Sequence, residues 1–280
     1  MKLNKIVGFE ILKTFSKFRT YIGFITIAIL LPVVFALVNK FGFNIQSRVV
    51  SQLSESFTFT GKIVNGYLIS YYLMTALWIH FPFFVILVAG DIVSTEMSSG
   101  TYRILLSRPI SRLQLILGKY ITIIFYTVLL ISFFGIFSIL VGRIILGGGN
   151  LLVFDKGILI LSEKEALYRF FLAYLLAIWI QLSVASLAFL FSTLSKNSVP
   201  AIIGSYAFVI FSIIISVLKI DSLEVIKPYL FTTYFDTFFA VFKEPIPYKS
   251  ILNKSVRSGI FSFIFFSLSV INFSRKDFKC

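Results

Sequence analysis

The sequence predicts an all-α integral membrane protein with six transmembrane helices, an N-terminal interfacial amphipathic helix and a short cytoplasmic helix between the second and third spans. Three observations lead to this class. Hydrophobic residues make up 58% of the 280 positions and charged residues 14%, with a mean hydropathy of +0.95. That is more apolar surface than one soluble domain of this length can bury. Charge-free apolar runs long enough for a hydrocarbon core of roughly 30 Å recur along the chain, and basic residues flank them. The formal net charge of +14 builds no continuous stripe interleaved with stacking aromatics, so it points to a membrane surface and not to nucleic acid. The whole chain, 1–280, reads as a single transmembrane domain.

The N-terminal helix comes first. Leu3, Val7, Ile11, Phe15 and Phe18 share one arc of a helical wheel, and Lys2, Lys5, Lys13 and Ser16 lie opposite. This predicts an interfacial helix over 1–19 on the inner leaflet. Asn4 and Thr14 interrupt the apolar face, which leaves a solvated basic tail as the alternative. Spans follow at about 21–38, 71–90, 120–141, 170–191, 199–218 and 254–274. The last run is free of charge only from Ser258 to Ser274, and snorkelling by Lys254 and Arg257 lengthens it by a turn. A polar, charged stretch precedes the first run and no small-residue cleavage site follows, so that run is expected to stay as an anchor.

With both termini inside, the inner segments (1–20, 91–119, 192–198, 275–280) hold 13 basic and 4 acidic residues. The outer segments (39–70, 142–169, 219–259) hold 13 and 8. The inner set packs its basic residues into fewer positions, which favours cytoplasmic termini under the positive-inside bias. In the outer loop 219–250, Leu230, Tyr234, Phe238 and Phe242 recur every four residues beyond Pro228. A short helix dipping into the outer interface is expected there, with a plain surface helix as the alternative. Gly147 to Asn150 reads as a turn and not as a phosphate cradle. Pro32 and Pro82 are expected to kink their helices.

The segment most informative about function lies at 91–119. It reads Asp91-Ile-Val-Ser-Thr-Glu96-Met-Ser-Ser-Gly100-Thr101-Tyr-Arg103, then Leu-Leu, Ser-Arg108-Pro109, Ser111-Arg112 and finally Gly118-Lys119. Ser94 or Thr95 is placed to cap a new helix with Glu96 at its positive end, and Arg108 before Pro109 marks a break. Ile104, Leu105 and Leu106 need cover, and Glu96, Arg103, Arg108 and Arg112 offer charge-assisted contacts. The pattern suits docking of another protein at the membrane surface.

In order and spacing this segment resembles the region between the second and third spans of ABC-2-type ABC transporter permeases. The motif covers about thirty residues; the amphipathic start, the six spans and the aromatic outer loop are similar to the family's plan. The resemblance implies a cytoplasmic coupling helix seated in a groove of an ATP-binding subunit. Glu96, Gly100, Thr101, Arg103, Arg108, Pro109, Arg112 and Lys119 then form that interface, none of them catalytic. It further implies an exporter. Heavy use of Ile, Phe and Lys with an uncleaved first span suits the plasma membrane, and the absence of a second apolar half implies pairing with a second permease, as homodimer or heterodimer. ATP and Mg would be bound by the partner subunit and not by this chain.

No Walker-type loop is present, because Gly118-Lys119-Tyr120 lacks both the first glycine and the hydroxyl residue. An ATPase must then be a separate chain. Cys280, the only cysteine, permits no internal disulfide or Cys-based metal site. His80 is the only histidine, so no histidine pair for haem, zinc or a Ser-His-Asp arrangement exists. Within the spans His80 and Gln181 are the polar candidates, each read either as a functional group or as a packed side chain bonded to a neighbouring helix. Three rival functions remain: a secondary transporter or channel, which needs more intramembrane polar groups; an intramembrane enzyme, for which no nucleophile with a base is found; and a non-transporting membrane scaffold of an ABC-type complex.

Overall fold

The computed structural model describes residues 3–53, 63–102, 110–154, 157–218, 220 and 224–276, with side chains from 42–53 excluded. The helices are α1 (Leu3–Phe15), α2 (Phe18–Leu53), α3 (Gly66–Leu77), α4 (Phe81–Ala89), α5 (Ser94–Ser98), α6 (Arg112–Leu146), α7 (Glu163–Leu194), α8 (Ser198–Val217) and α9 (Tyr248–Arg275). Among the described residues, six helical stretches are long and apolar enough to cross a membrane: Phe18–Phe41, Gly66–Ser98, Arg112–Leu146, Glu163–Leu194, Ser198–Val217 and Tyr248–Arg275. Each contains one of the apolar runs. Three of the helices, α3, α6 and α7, begin several residues before their runs, and each has a polar cap at its start. The Asn65 side chain accepts from Leu68 N–H, Ser162 accepts from Glu165 N–H, and Ser111 with Gln114 closes a capping box on α6.

The six spans alternate in direction, so both chain ends meet at one end of the bundle. There the Arg112 guanidinium donates to the Ser274 and Lys276 carbonyls at 2.8 and 3.0 Å, and Asn272 Nδ2 donates to the Thr193 carbonyl at 2.9 Å. At the opposite end Asn65 Nδ2 donates to the Asn150 carbonyl at 2.7 Å and Tyr67 Oη to Glu163 at 2.8 Å. α7 is the hub, packing on α4, α6, α8 and α9. Its buried positions include Ala173, Ala177, Ser183, Ala185, Ser186 and Ala188, small residues that let backbones approach where lipid supplies no hydrophobic drive between helices. Gly66 and Gly142 serve α3 and α6 in the same way, since a Cβ at Gly66 would fall 2.4 Å from the Gly142 carbonyl carbon. In the central windows of α3–α5 and α7, 61% of residues are buried, against 22%, 22% and 17% in α2, α8 and α9. Those three therefore present their apolar faces outward.

Several expectations change. A two-stranded antiparallel hairpin, β1 (Leu151–Phe154) with β2 (Ile158–Leu161) in the register Leu151↔Leu161, connects α6 to α7. Among the described residues, the stretch Leu230 to Phe242, where the short helix was expected, forms no α-helix. Of three 3-10 segments, Lys227–Tyr229, Phe231–Tyr234 and Thr237–Phe242, the last two carry their aromatics into the bundle, where Phe238 lies 4.3 Å from Trp78 and Phe242 4.9 Å from Tyr71, centroid to centroid. The tighter winding brings Phe231, Tyr234, Phe238, Val241 and Phe242 all inward. In the second span the break is a 3-10 turn at Trp78–His80, and Pro82 sits in the first turn of α4, where its missing N–H costs nothing.

Candidate functional site

The end of the bundle that holds Leu3 and Lys276 contains a cluster of charged side chains whose carboxylates and central lysine are buried and whose outer cations are half-buried. At its centre is Lys119, fully buried on α6. Its ammonium donates to Glu10 Oε2 at 2.9 Å, to Glu96 Oε1 at 2.6 Å and to the Ile92 carbonyl at 3.3 Å. An ammonium has three hydrogens, and all three are engaged. Glu96 is also bonded by Lys13 from α1. Beside this group Asp91 accepts from Lys17 at 2.8 Å, from Arg19 at 2.5 Å and from the Thr95 hydroxyl. Four cations and three carboxylates thus join α1, the start of α2, the α4–α5 junction and α6. Isolated charges out of water are costly, and only mutual pairing with saturated hydrogen bonds makes such a cluster tolerable.

Packing seats the charges. Gly118 leaves a notch that receives Ile6, for a Cβ there would lie 2.8 Å from Ile6 Cγ2. Tyr102, fully buried, faces the Lys119 ammonium at 5.8 Å from its ring centroid. Burial, reinforced by the Glu96 and Glu10 carboxylates, holds the Tyr102 phenol well above its ordinary value. The Ser192 hydroxyl of α7 accepts from the Val93 and Ser94 N–H groups, both at 3.1 Å, and so satisfies orphan donors at the start of α5. From α9, Lys276 donates to the Thr193 carbonyl at 2.8 Å; burial, then repulsion from Lys196, lowers its affinity for protons.

The residues singled out in the sequence divide here. Glu96 and Lys119 come together, but inside, so the expectation that they present charge to another protein is corrected: each is neutralised by the other and by α1. Ser98, Ser99 and Gly100 form an exposed knuckle, with Gly100 at φ +67°, and Thr101 is half-buried. Arg112 is half-buried against the end of α9. Arg103, Arg108 and Pro109, with Ile104, Leu105 and Leu106, lie outside the described residues. The capping expectation also fails, because Val93 holds the cap position without a side-chain bond, Ser94 bonds back to the Gly90 carbonyl and Thr95 turns to Asp91.

On α1 the buried face is Ile6, Glu10 and Thr14, while Leu3, Val7, Ile11 and Phe15 flank it half-buried and Phe18 is exposed. The strength of the Glu10–Lys119 pair in a dry setting outweighs the apolar arc in setting the helix's rotation. Glu10 and Asp91 were missed as site residues. The available signal was a single carboxylate in an otherwise basic amphipathic segment.

In the spans, Gln181 is fully buried, and among the described residues neither amide atom meets a hydrogen-bond partner. His80 is exposed at the rim of a recess of about 110 Å³ formed with Thr26, Leu30 and Phe84. Neither is bonded to a neighbouring helix as the packed reading required. Among the described residues no three His, Cys, Asp or Glu side chains converge on a point where a metal ion would sit.

A family model described as "Protein of unknown function (DUF2705)" matches residues 33–279. The chain belongs to this family. The DUF2705 match takes in Asp91, Glu96 and Lys119 but begins beyond Glu10, Lys13, Lys17 and Arg19. The chain is also 34% identical over 125 residues to "Uncharacterized protein YhcI" of Bacillus subtilis (strain 168), a match covering 42% of this chain and 39% of that protein.

Proposed function

We propose that this DUF2705 chain is the membrane-spanning permease subunit of an ATP-driven ABC transporter of the ABC-2 type. It works as an exporter, pairs with a second permease in the plasma membrane and keeps both termini in the cytoplasm. A separate ATPase subunit binds ATP and Mg. The observation that carries this reading is the buried charge cluster beneath an exposed knuckle. Ser98, Ser99 and Gly100 project from a short helix whose Glu96 and preceding Asp91 are fastened to α1, α2 and α6. Force applied to the knuckle by a partner's closure is passed on as rigid-body movement of the spans, because the connection is ionic and short and its centre, Lys119 with Glu10 and Glu96, is buried. The order of Glu96, Gly100, Thr101, Arg103, Arg108, Pro109 and Arg112, with its resemblance to the permease family, supports the same reading.

A second reading, a secondary transporter, is favoured by one feature: the buried, unbonded amide of Gln181. A non-transporting scaffold differs from the permease only in lacking cargo. The deciding experiment is purification of the tagged chain in mild detergent with assay of nucleotide hydrolysis. The permease reading expects a co-purifying ATPase subunit. Ser99→Trp and Arg103→Glu should weaken that association at unchanged insertion and thermal stability, whereas Glu96→Gln should lower stability first. A chain that purifies alone and shows no nucleotide-dependent activity would overturn the proposal in favour of the secondary transporter.

A further inference from the structure

From the start of α9 beside Tyr234, at the hairpin end of the bundle, a furrow runs on into the outer seam between α7 and α9. It consists of three adjoining recesses of about 660, 730 and 590 Å³. The first is edged by Lys249, Lys254 and Arg257, the second shares Lys249 and Tyr248 with it, and the third shares Trp179 and Val256 with the second. The lining changes character along its length. Lys249, Asn253, Val256, Ile260 and Phe263 follow one another at helical i, i+4, i+7 spacing on α9, a stripe that is cationic at the top and apolar below. At 1.5 Å per residue the stripe is about 21 Å long, the depth of a headgroup layer plus one leaflet of a roughly 30 Å core.

The cations are available. Lys249 and Arg257 are exposed and meet no carboxylate among the described residues; Lys254 faces Asp236 at 3.2 Å in a solvent-exposed pair. Arg257 is steadied by the Tyr234 hydroxyl at 3.3 Å, which accepts from it. The apolar wall is fixed as well. Trp179 Nε1 donates to the Ser255 carbonyl at 2.9 Å, and its ring lies over Gly259, where a Cβ would come within 2.9 Å of Cζ2. The ring is held as a wall and still has 47% of its surface open.

We propose that this furrow binds an anionic phospholipid, with its phosphate among Lys249, Lys254 and Arg257 and an acyl chain along Trp179, Val256, Ile260 and Phe263. A net surplus of positive charge at the mouth selects an anionic headgroup, Tyr248 at the start of α9 matches the headgroup boundary, and the apolar stripe below, walled by Trp179 at mid-span, suits an acyl chain. The assignment is independent of the permease reading, since it concerns the seam of one chain with the bilayer.

The chain carries its own reporter, because it has two tryptophans and the other, Trp78, is buried in the core. In a Trp78→Phe background reconstituted in phosphatidylcholine vesicles, a small mole fraction of acyl-brominated phosphatidylglycerol should quench Trp179 about tenfold more effectively than brominated phosphatidylcholine at the same fraction. That is the factor expected of one to two surplus cations at a membrane surface. The combined Lys249→Gln, Lys254→Gln and Arg257→Gln variant should lose the preference while retaining quenching by both lipids. Native mass spectrometry of the chain with Trp78 intact, comparing phosphatidylglycerol retention with and without the three substitutions, covers the case in which Trp78→Phe does not fold. Equal quenching by both lipids would make the furrow ordinary boundary surface and overturn the proposal. So would absence of quenching by either, which means that protein covers the furrow, or a preference that survives loss of the three cations.

Discussion

Lys119 engages every hydrogen of its ammonium inside the bundle, and that fact governs what its replacement does. Lys119→Met keeps the length of the side chain but leaves Glu10 and Glu96 facing each other without their shared cation. Removing one member of a buried ion pair costs about 3–5 kcal/mol, so chemical unfolding in detergent should show a loss of that order, and adding Glu10→Gln should recover part of it. Little or no loss would mean that water reaches the cluster. Tyr102 gives a pH signature. Its folded-state affinity for the proton is raised by burial and by Glu96 and Glu10 above the ordinary value near 10.0. The associated stability is therefore complete below about pH 10 and is lost as pH rises through the folded value. Tyr102→Phe should flatten the alkaline fall in stability, read as the unfolding midpoint against pH. Gly118-Lys119 was legible in the sequence as part of a motif, but its role was not, because a lysine at a span's edge looks the same whether it faces headgroups or carboxylates.

At the scale of elements, hydropathy located six helices long and apolar enough to cross a membrane, and polar caps account for the early starts of α3, α6 and α7. Rotation about each helix axis was less legible. α1 was read from its apolar arc, yet the arc lies to the side and Ile6, Glu10 and Thr14 face inward, since one desolvated ion pair outweighs several half-buried methyl groups. The hairpin had a signal, two four-residue apolar runs around 155–157, which is too short for a span and disappears in a hydropathy count. The 3-10 winding of the aromatic loop had none, for a four-residue repeat suits an α-helix equally well. Close packing at the α3–α6 crossing rests on Gly66 and Gly142. Gly142→Val should force the backbones apart at a contact whose Cβ distance is already 2.9 Å and destabilise by about 1–3 kcal/mol, with thermal aggregation of the detergent-solubilised protein as the readout. Gly8→Val, where a Cβ meets nothing within 4 Å, should cost much less.

For the whole molecule, Leu3, Lys276 and the described parts of the 91–119 segment share one end of the bundle and the hairpin occupies the other. Placing the shared end in the cytoplasm makes a labelling pattern. A membrane-impermeant maleimide should leave the single native thiol, Cys280, unmodified in intact cells and modify it after permeabilisation. In a Cys280→Ser background, Gly157→Cys on the hairpin should react without permeabilisation. The opposite pattern would invert the topology and move the knuckle away from any cytoplasmic ATPase. Composition and hydropathy alone determined that the chain is mostly helical, with six helices long and apolar enough to cross a membrane, because those properties sum over neighbouring residues. The tertiary structure alone decided that Glu10 meets Lys119 across 109 positions and Lys13 meets Glu96 across 83. Whether a charge faces water or another charge depends on which helices are brought side by side, and a local pattern carries no record of that.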